Sequence, residues 1–341
     1  MAAKTPLITV LGSLNIDLVS YVPHHPLPGE TLTSNSFAVS PGGKGANQAV
    51  ACAKLSRSRT HTTSSTTSPS PSFTTTTTSS GETARIRMLG AVGADTYGDI
   101  LTANLASHGV DVSGISSSDR ALKTGVALII VDQPTGQNRI ILSPEANHSL
   151  TPSQFTSLPG PRPDLLIMQL EVPLPTVLAA LQAARNATPG PVPVLLNPAP
   201  AQELPAEAYE GLAHLIVNET EAAVLAGVPE SELESKDGLA RVGDTFLGRG
   251  VSNVIITLGG RGVFYMSAAG GAGEKRGLVP AEKAEVVDTT AAGDTFVGQY
   301  ALEVVGGAFD IAVAVKKANR AAARTVEKLG AQDSIPWRDE L

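Results

Sequence analysis

The sequence predicts an α/β fold with a doubly wound, mainly parallel sheet that is flanked by helices. Short apolar runs recur along the 341 residues, and each run ends in polar residues before a helical segment begins. In this fold class the polar ends of the strands lie along one edge of the sheet, where ligands bind. A second observation is the alternation of apolar residues at 18–39 and the hairpin pattern at 125–142, which indicate short strands outside the main repeat.

Composition excludes several classes of protein. The chain is 42% hydrophobic and 17% charged, so it is long enough for one large α/β domain or two smaller ones. A net charge of −7 without a concentrated basic block argues against a nucleic-acid partner. No apolar run reaches the roughly 20 residues that cross a membrane, and residues 1–7 lack a signal-peptide pattern. We therefore expect a soluble protein of the cytoplasm, with the nucleus included, and no membrane partner.

The first predicted strand is the β-branched apolar run at residues 7–11, which is typical of a buried strand. Asn15 and Asp17 follow it, where an open α/β sheet places its ligands. They have two interpretations, since Asn and Asp are also ordinary turn residues. A carboxylate and an amide at this position would suit the paired hydroxyl groups of a sugar.

A glycine-rich turn precedes the first predicted helix, at residues 46–55. The turn contains Pro41, Gly42 and Gly43, and it is not a P-loop because Lys44 is followed by Gly45. It either brings the backbone and Asn47 close to a polar ligand or serves only the geometry of the loop. Cys52, the single cysteine, lies in this helix, which excludes an internal disulfide.

Residues 56–80 are almost entirely serine and threonine. Such a tract cannot bury enough apolar surface to offset the entropy of ordering it. We expect a disordered surface insertion between a helix and the next strand, with a phosphorylated regulatory loop as the functional alternative.

The rest of the chain repeats the pattern of strand, polar end and helix. Strands are predicted at 85–92, 125–131, 139–142, 164–171, 192–196, 215–217 and 254–258, and helices at 99–109, 175–185 and 219–226. A further strand at 284–287 runs into a turn of small residues, and a helix from Asp294 to about residue 305 follows. Backbone N–H groups at such a helix start form an anion site. Asp294 is then either a general base beside this anion site or a first-turn helix aspartate.

Two motifs, Gly-Gly-Lys-Gly-Ala-Asn at 42–47 and Asp-Thr-Thr-Ala-Ala-Gly-Asp at 288–294, resemble the two signatures of the ribokinase family of sugar kinases. Four intervening segments, 169–171, 197–200, 218–221 and 257–262, occur in the order of that family, and the ending at 330–337 resembles its ribokinase branch. The resemblance covers the whole chain except 56–80. It implies a single ribokinase-like domain over 1–341, with a small β-sheet lid at about 14–39 and 122–141.

The resemblance also implies transfer of the γ-phosphoryl group of ATP to O5 of D-ribose. Asp294 matches the general base, and Ala291, Ala292 and Gly293 match the anion hole. The positions that match sugar contacts are Asn15, Asp17, Gly43, Lys44, Gly45, Asn47, Glu171 and Asp294. Those that match nucleotide contacts are Asn218, Thr257, Gly259, Gly260, Arg261, Gly262, Gly293 and Asn319.

Two metal ions and a partner follow from the same resemblance. Glu221 matches the acidic residue that works with Mg²⁺, which usually keeps several waters. A K⁺ site would draw on Asp288, Thr290, Thr325, Lys328, Gly330 and Ser334, mostly through backbone carbonyls. The lid implies a homodimer. The alternatives are another sugar or nucleoside kinase of fructokinase or adenosine kinase type and a non-catalytic sugar-binding regulator, whereas a dehydrogenase is rejected because no G-x-G-x-x-G motif follows the first strand.

Overall fold

A computed structural model describes residues 4–59, 81–117, 121–268 and 275–341. The Ser/Thr-rich insertion expected at 56–80 lies outside the described residues from position 60 onward. In the described residues, no helix combines the length and the apolar character that crossing a bilayer requires.

A large sheet forms the centre of the molecule, and within the described ranges it has nine strands. They are β1 (Leu7–Leu11), β4 (Arg85–Ala91), β5 (Asp111–Ser116), β8 (Leu165–Met168), β9 (Val194–Leu196), β10 (His214–Asn218), β11 (Asn253–Thr257), β12 (Val263–Ser267) and β13 (Lys275–Val279). Their order is β13-β12-β11-β10-β9-β8-β1-β4-β5. Neighbouring strands pair in parallel from β11 at one side of this order to β5 at the other. β12 and β13 add an antiparallel edge next to β11. The carboxyl ends of β1, β8, β9, β10 and β11 therefore meet along one edge of the sheet.

Helices cover both faces of this sheet. They are α1 (Lys44–Leu55), α2 (Thr96–Ser107), α3 (Leu174–Arg185), α4 (Glu219–Ala226), α5 (Lys236–Gly248), α6 (Ala292–Val305) and α7 (Ile311–Thr325). Residues that alternate along a strand point to opposite faces. Ile8 and Val10 accordingly pack with α1, α6 and α7, whereas the adjacent Leu11 packs with α3, α4 and α5. The sheet is therefore buried on both sides, as the continuous apolar runs predict.

A second sheet, with four strands in the described part of the chain, stands apart from the large one. It consists of β2 (Asn15–Val22), β3 (Ser36–Gly42), β6 (Gly125–Asp132) and β7 (Asn138–Ser143), in the order β3-β2-β6-β7. One face of it exposes a row of large apolar side chains, namely Phe37, Val39, Leu128 and Ile141, whereas Ile140 and Leu142 are exposed on the other face. Because β2 begins at Asn15, directly after the carboxyl end of β1, the small sheet adjoins the edge where the parallel strands end.

One predicted strand is wrong. Residues 284–287 form no strand, and Val286 and Val287 are exposed. The N–H of Val287 donates to the carbonyl of Val326 in the segment after α7, at 2.8 Å, so this segment pairs outside the sheet. The edge position is already taken by β12 and β13, which the apolar pattern did not reveal. Elsewhere the predicted elements are present, with boundaries that shift by a few residues.

Candidate active site

Asp294 lies in the first turn of α6, at the edge of the sheet where the parallel strands end. The turn before it requires an unusual backbone, because Ala291 adopts a left-handed conformation with φ of 60°. The N–H groups of the first turn have no acceptor within the helix. A Cβ atom at Gly293 would meet nothing within 4 Å, so there is open space beside Gly293, while the N–H of Ala292 donates to the carbonyl of Thr289 at 3.3 Å. This geometry is compatible with the predicted anion site, and the carboxylate of Asp294 lies beside it.

Two adjacent amides of α1 bind the carboxylate of Asp294. Asn47 Nδ2 donates to Oδ2 at 3.1 Å, and Gln48 Nε2 donates to Oδ1 at 3.0 Å. Asp294 is 8% exposed, so it is buried yet keeps an open side toward the site. Both of its oxygens are therefore held in place while a face remains accessible.

The start of β2 contributes Asn15 and Asp17 to the same region. Asn15 Oδ1 accepts a hydrogen bond from Asn147 Nδ2 at 2.8 Å, which leaves the Asn15 amide nitrogen free to donate elsewhere. Asp17 lies against the glycine turn, because a Cβ atom at Gly42 would come within 2.2 Å of its Oδ2 atom. Gly43 has a φ of 88°, and a Cβ there would lie 2.8 Å from the backbone nitrogen of Asn15. Glycine at 42 and 43 thus allows the turn to approach the polar start of β2.

Glu171 follows β8 and fixes the start of α1. Its Oε2 atom accepts from the backbone N–H of Lys44 at 3.0 Å and from the hydroxyl of Ser13. Gly45 packs on the end of β1, where a Cβ would come within 2.6 Å of the carbonyl carbon of Gly12. Gly45 therefore permits the close approach of helix and strand, and its backbone N–H donates to Ser13 Oγ at 3.3 Å.

Charges at this edge of the sheet are strongly coupled. Burial opposes the charging of Lys44, but the carboxylates of Asp294, Glu171 and Glu221 outweigh it and raise the pKa of Lys44 above its ordinary value. Burial, together with the negative charges of Glu171 and Asp294, raises the pKa of Asp17 to about 7. The site thus holds a cluster of carboxylates around one ammonium group, and Asp17 changes its charge close to neutral pH.

Two adjoining cavities open beside Asp294. The smaller, of about 230 Å³, is polar and is lined by Lys44, Asn197, Asn218, Glu221, Thr289, Ala291, Gly293 and Asp294, among others. The larger, of about 540 Å³, is lined by residues that include Thr257, Gly259, Gly260, Gly262, Val263, Ala292, Gly293, Phe296, Asn319, Ala322 and Val326. Thr257, Thr289 and Gly293 line both cavities, so a ligand could extend from the larger cavity to Asp294 through the smaller one.

The residues that match nucleotide contacts do not all reach the larger cavity. Asn319 lines it, and its Nδ2 atom donates to the carbonyl of Pro280 at 2.9 Å. Arg261 turns elsewhere, since its guanidinium pairs with Glu219 and donates to the carbonyl of Leu233 at 3.0 Å. The structure therefore presents Arg261 as a residue that fixes the loop after β11.

Asn218 and Glu221 form a capping box at the start of α4. Asn218 Oδ1 accepts from the N–H of Glu221 at 2.7 Å, and Glu221 Oε2 accepts from the N–H of Asn218 at 2.9 Å. The pKa of Glu221 is raised, mainly because the carboxyl group is buried. The hydrogen bond from Asn218 and the charge of Lys44 lower the pKa, but by less than burial raises it. The second carboxylate oxygen of Glu221 is left for the polar cavity that it lines.

The residues matched to a K⁺ site lie in two segments that meet beside α6. Asp288 accepts hydrogen bonds from Thr290 in its own turn and from the N–H of Gly330 after α7. Thr325 Oγ1 donates to Thr295 Oγ1 at 2.9 Å, which fixes the end of α7 to the first turns of α6. Ser334 Oγ donates to the carbonyl of Ala331, and Lys328 Nζ pairs with Glu340 at 3.3 Å. The predicted set is thus close to the anion turn at residues 291–293.

Sequence reasoning missed several polar residues of the site, above all Gln48, Asn147 and Gln332. Asn147 lies in a 3-10 turn after β7 and holds the backbone at Leu14, whose N–H donates to its Oδ1 atom at 2.8 Å. Gln48 follows the predicted Asn47, but neighbours in a helix point about 100° apart, so nothing in the pattern indicated a shared target. The polar character of Gln48 within the apolar helix α1 was an available signal, whereas Asn147 and Gln332 lie in polar segments that gave none.

The sequence matches the family described as pfkB family carbohydrate kinase over residues 5–338. The chain therefore belongs to the pfkB family of carbohydrate kinases. This confirms the family resemblance found in the two signature motifs, and the arrangement of a mostly parallel sheet with a small separate sheet confirms the predicted fold class.

Individual relatives agree with this assignment. A ribokinase of Schizosaccharomyces pombe is 39% identical over 337 residues, which cover 96% of this chain and 94% of the relative. The crystal structure of a ribokinase from Thermotoga maritima is 34% identical, with a TM-score of 0.75 and coverage of 98% of this chain and 97% of that one. The structure of Arabidopsis thaliana ribokinase complexed with ribose and ATP is 26% identical, with a TM-score of 0.75 and the same two coverages.

Proposed function

We propose that this chain transfers the γ-phosphoryl group of ATP to O5 of D-ribose, giving D-ribose 5-phosphate and ADP. The observation that carries the proposal is the position of Asp294, a buried carboxylate in the first turn of α6, between an anion turn and a cluster of polar side chains. The relative from Arabidopsis thaliana that was solved with ribose and ATP supports the choice of sugar and phosphoryl donor.

In the proposed reaction Asp294 takes the proton from the sugar hydroxyl as the oxygen attacks the γ-phosphorus. The bond between that phosphorus and the bridging oxygen of the β-phosphate breaks, and ADP leaves with the electron pair. The backbone N–H groups of Ala292 and Gly293, after the left-handed turn at Ala291, would stabilise the charge on the transferred group. The proton then leaves Asp294 for solvent after the product has gone.

The sugar would lie between the start of β2 and Asp294. Carboxylates and amides can each bond two adjacent hydroxyl groups, and ribose presents several. The buried carboxylates and the free Asn15 amide support this location. The residues assigned to it are Asn15, Asp17, Gly43, Lys44, Asn47 and Glu171, with Gly45 shaping the turn.

ATP would occupy the larger cavity, with its phosphates in the polar cavity beside Asp294. The apolar lining by Val263, Phe296 and Val326 suits an adenine ring, and Asn319 supplies an amide. Thr257, Gly259, Gly260 and Gly262 lie at the cavity wall, where glycine permits close approach of the nucleotide to the backbone. Asn218 and Gly293 line the polar cavity.

Mg²⁺ fits this site only as an ion that is bound mainly by the phosphate oxygens of the nucleotide. In the described part of the chain no three His, Cys, Asp or Glu side chains are grouped to hold a metal ion. Glu221 has one carboxylate oxygen outside its capping box, which would bond a water of the ion. Bound Mg²⁺ neutralises phosphate charge, while the chain itself orients the two substrates.

A K⁺ ion fits between the turn at Asp288–Thr290 and the segment from Thr325 to Ser334. Asp288 supplies the ionised oxygen, and backbone carbonyls of Thr290, Thr325, Lys328, Gly330 and Ser334 would supply the others. The hydrogen bond from Gly330 to Asp288 already joins the two segments. A bound cation would hold the anion turn in its phosphate-binding shape without touching the substrates.

The four-stranded sheet would act as the lid of the sugar site and as the contact of a homodimer. Its exposed row of apolar side chains supports a partner surface, because such patches are usually covered in soluble proteins. Closing the lid would exclude water, which competes with the sugar as phosphoryl acceptor. The location in cytoplasm and nucleus, and the absence of a nucleic-acid partner, stay predictions from the sequence.

A coupled assay of ADP release tests the function. Ribose, 2-deoxyribose, fructose and adenosine are compared at equal concentrations with ATP and Mg²⁺, and we expect the highest kcat/KM for ribose. A higher value for fructose or adenosine would overturn the choice of sugar and favour a related kinase. Ribose binding without turnover by the wild type would instead favour a non-catalytic sugar-binding regulator.

A further inference from the structure

A buried series of side-chain amides surrounds Asp294 and joins parts of the chain that are distant in sequence. On one side Asn104 Nδ2 in α2 donates to Gln332 Oε1 at 2.6 Å, and Gln332 Nε2 donates to Asn47 Oδ1 at 3.1 Å. On the other side Gln169 Nε2, after β8, donates to Gln48 Oε1 at 2.6 Å. Asn47 and Gln48 then donate to the two oxygens of Asp294, so both branches end on the same carboxylate.

All of these donors point toward Asp294. An ionised carboxylate only accepts hydrogen bonds, so the amides that touch it must present their NH₂ groups. Their oxygens then face away and need donors of their own. Gln332 supplies that donor to Asn47, and Gln169 supplies it to Gln48. The carboxylate thus sets which way the inner amides face, and the outer amides supply the donors that this orientation requires, although Gln169 Oε1 has no partner of its own.

Burial makes this order costly to break. Gln48 and Gln169 are fully buried, and Gln332 is 6% exposed. A buried amide that loses its partner keeps the full cost of its desolvation, so a reversed amide would leave donors and acceptors unmatched. Gln48 Nε2 also donates to Asn197 Oδ1 at 3.0 Å, which uses the second hydrogen of its NH₂ group.

The series cannot carry protons away from Asp294, because side-chain amides do not titrate in the physiological range. The ionisable groups that influence Asp294 are Asp17 from β2, Lys44 from α1, Glu171 after β8 and Glu221 from α4. These lie on the substrate side. A proton that Asp294 accepts therefore stays on it until it leaves through the open side of the site.

We propose that Gln48 and Gln332 are positioning residues for the general base, Gln48 by direct contact and Gln332 through Asn47. They hold both oxygens of Asp294 as acceptors and turn the free lone pairs toward the sugar hydroxyl. The inference rests on the proposed kinase function, since it assigns a task to residues around the base of that reaction.

Gln332 also connects the segment assigned to the cation with α1. Its backbone carbonyl accepts a hydrogen bond from Lys54 Nζ at 2.8 Å, so both its main chain and its side chain are held by α1. It lies between Gly330 and Ser334, in the segment assigned to the cation. Movement of this segment would therefore change the hydrogen bond that Asn47 gives to Asp294.

The test compares Gln48→Leu and Gln332→Leu with the control Gln299→Leu. Gln299 is a buried amide on α6, 8% exposed, but it bonds Glu303 and does not contact Asp294. We expect Gln48→Leu to lower kcat at saturating ribose by about 10- to 100-fold, the range for loss of a hydrogen bond to a charged group. Gln332→Leu should lower it by about 3- to 10-fold, because its action passes through Asn47. The control should stay within about twofold.

A second readout does not depend on turnover. The carboxyl of Asp294 is followed by NMR with ¹³Cγ-labelled aspartate, and its resonance is assigned by its loss in Asp294→Asn. Its titration midpoint should move to higher pH by about one unit in Gln48→Leu and stay in place in Gln299→Leu. Gln48→Glu keeps the side-chain size, in case leucine disturbs folding. Its added charge should move the midpoint further in the same direction.

The two readouts separate the two proposals. If the midpoint moves but the wild type does not phosphorylate ribose, the positioning role stands and the proposed reaction fails. If the wild type turns over ribose, yet Gln48→Leu and Gln299→Leu lose equal activity and no midpoint moves, Gln48 is only a packing residue and the inference is overturned.

Discussion

The carboxylate of Asp288 accepts a hydrogen bond from the backbone N–H of Gly330, 42 residues further along the chain, at 2.9 Å. The same carboxylate accepts from the N–H and the hydroxyl of Thr290, at 2.9 and 2.6 Å. Burial alone would raise the pKa of Asp288, but these hydrogen bonds outweigh it and hold the pKa below its ordinary value. An ionised oxygen is therefore fixed between two loops beside the anion turn.

This relationship predicts activation by a monovalent cation. Turnover should rise with added K⁺ and saturate, because an occupied site holds the anion turn in its active shape. The rise should be about 5- to 150-fold, the usual range for coupling between two sites, and larger for K⁺ than for Na⁺ or Li⁺. Kinetics are measured at constant ionic strength after removal of both K⁺ and Na⁺.

Asp288→Asn should blunt the response to K⁺, since it removes the charge and keeps most of the side-chain shape. Asp244→Asn, at an exposed position on α5, is the matched control and should respond like the wild type. Equal rates in all salts would contradict the cation site, and Asp288 would then only link two loops.

Asp294→Asn tests the general base directly. The amide keeps the size of the side chain but cannot accept the hydroxyl proton, so kcat should fall by about 10²- to 10⁴-fold. Ribose should still bind, because the other sugar contacts are intact. Rapid-quench kinetics give the rate and calorimetry gives the ribose affinity. Turnover close to that of the wild type, in a variant with normal thermal unfolding, would contradict the role of Asp294.

Asp17 predicts a pH-dependent affinity for the sugar. Its pKa of about 7 means that the acid form prevails below neutrality and the carboxylate above it. If the carboxylate is the form that accepts the sugar hydroxyls, KM for ribose should fall by up to about tenfold between pH 6 and pH 8. Asp17→Asn should show a high KM that varies little over this range. A wild-type KM that stays constant across neutrality would remove Asp17 as the source of pH dependence.

From the burial of His214 we expect the folded protein to lose stability in acid. Its ring lies in the core, 3.0 Å from the hydroxyl of Tyr300, and burial lowers its pKa from 6.5 to about 3. The unfolded chain therefore binds a proton that the folded chain does not, and the stability present above pH 6.5 is lost as the pH falls toward 3. The loss amounts to about 4–5 kcal/mol over this interval, at about 1.4 kcal/mol for each unit of pKa.

Urea unfolding between pH 7 and pH 4 measures this effect. His214→Gln should be less stable at pH 7 but should show a shallower dependence on pH. His148→Gln, at an exposed position, serves as the control and should keep the steep dependence. His108, whose pKa burial lowers to about 4, is present in all three proteins and accounts for the slope that is left. Parallel curves for the wild type and His214→Gln would refute the prediction.

The small sheet predicts a homodimer that a single charge can weaken. Ile141 is 59% exposed within its apolar row, and a lysine there would lose apolar contact and place a charge in the interface. We expect Ile141→Lys to raise the dimer dissociation constant at least about tenfold in light-scattering measurements. Val313→Lys, at a similarly exposed position on α7, should leave the dimer unchanged. A wild type that is monomeric at working concentration would rule out the dimer.

Local patterns along the chain were enough to predict most of the parallel strands and the helices α1, α2, α3, α4 and α6, but not β5, α5 or α7. Ile8, Val10 and Leu11 belong to a run in which Thr9 is the one polar residue, which indicates burial on both faces, and the polar residues after it locate the ligand edge. The antiparallel strand β13 was missed because it is largely exposed and carries only one large apolar pair, and β12 was missed although it is mainly buried. The same edge position explains why residues 284–287, three of which are apolar, find no place in the sheet.

The site prediction is most complete where one motif contains both the residue and the reason for it. Asp294, Gly293 and Ala291 follow one another, so the anion turn could be recognised from sequence. Gln332 could not, because it reaches Asn47 across 285 positions and no local pattern carries that contact. Arg261 is the opposite case, because its motif suggested a nucleotide contact. In the structure Glu219 binds its guanidinium away from the cavity.

The position of β2, which begins just after β1 of the large sheet ends, couples sugar binding to assembly. Asn15 and Asp17 belong to the first residues of β2, so any ligand that bonds them is held by the strand that pairs with β3 and β6, which both contribute to the apolar row. By linkage, a second copy that holds β2 near Asp294 must strengthen sugar binding, and the sugar must strengthen assembly by the same factor. Sugar concentration would then set the fraction of assembled protein at a given chain concentration, and the sugar's affinity would depend on how much protein is present.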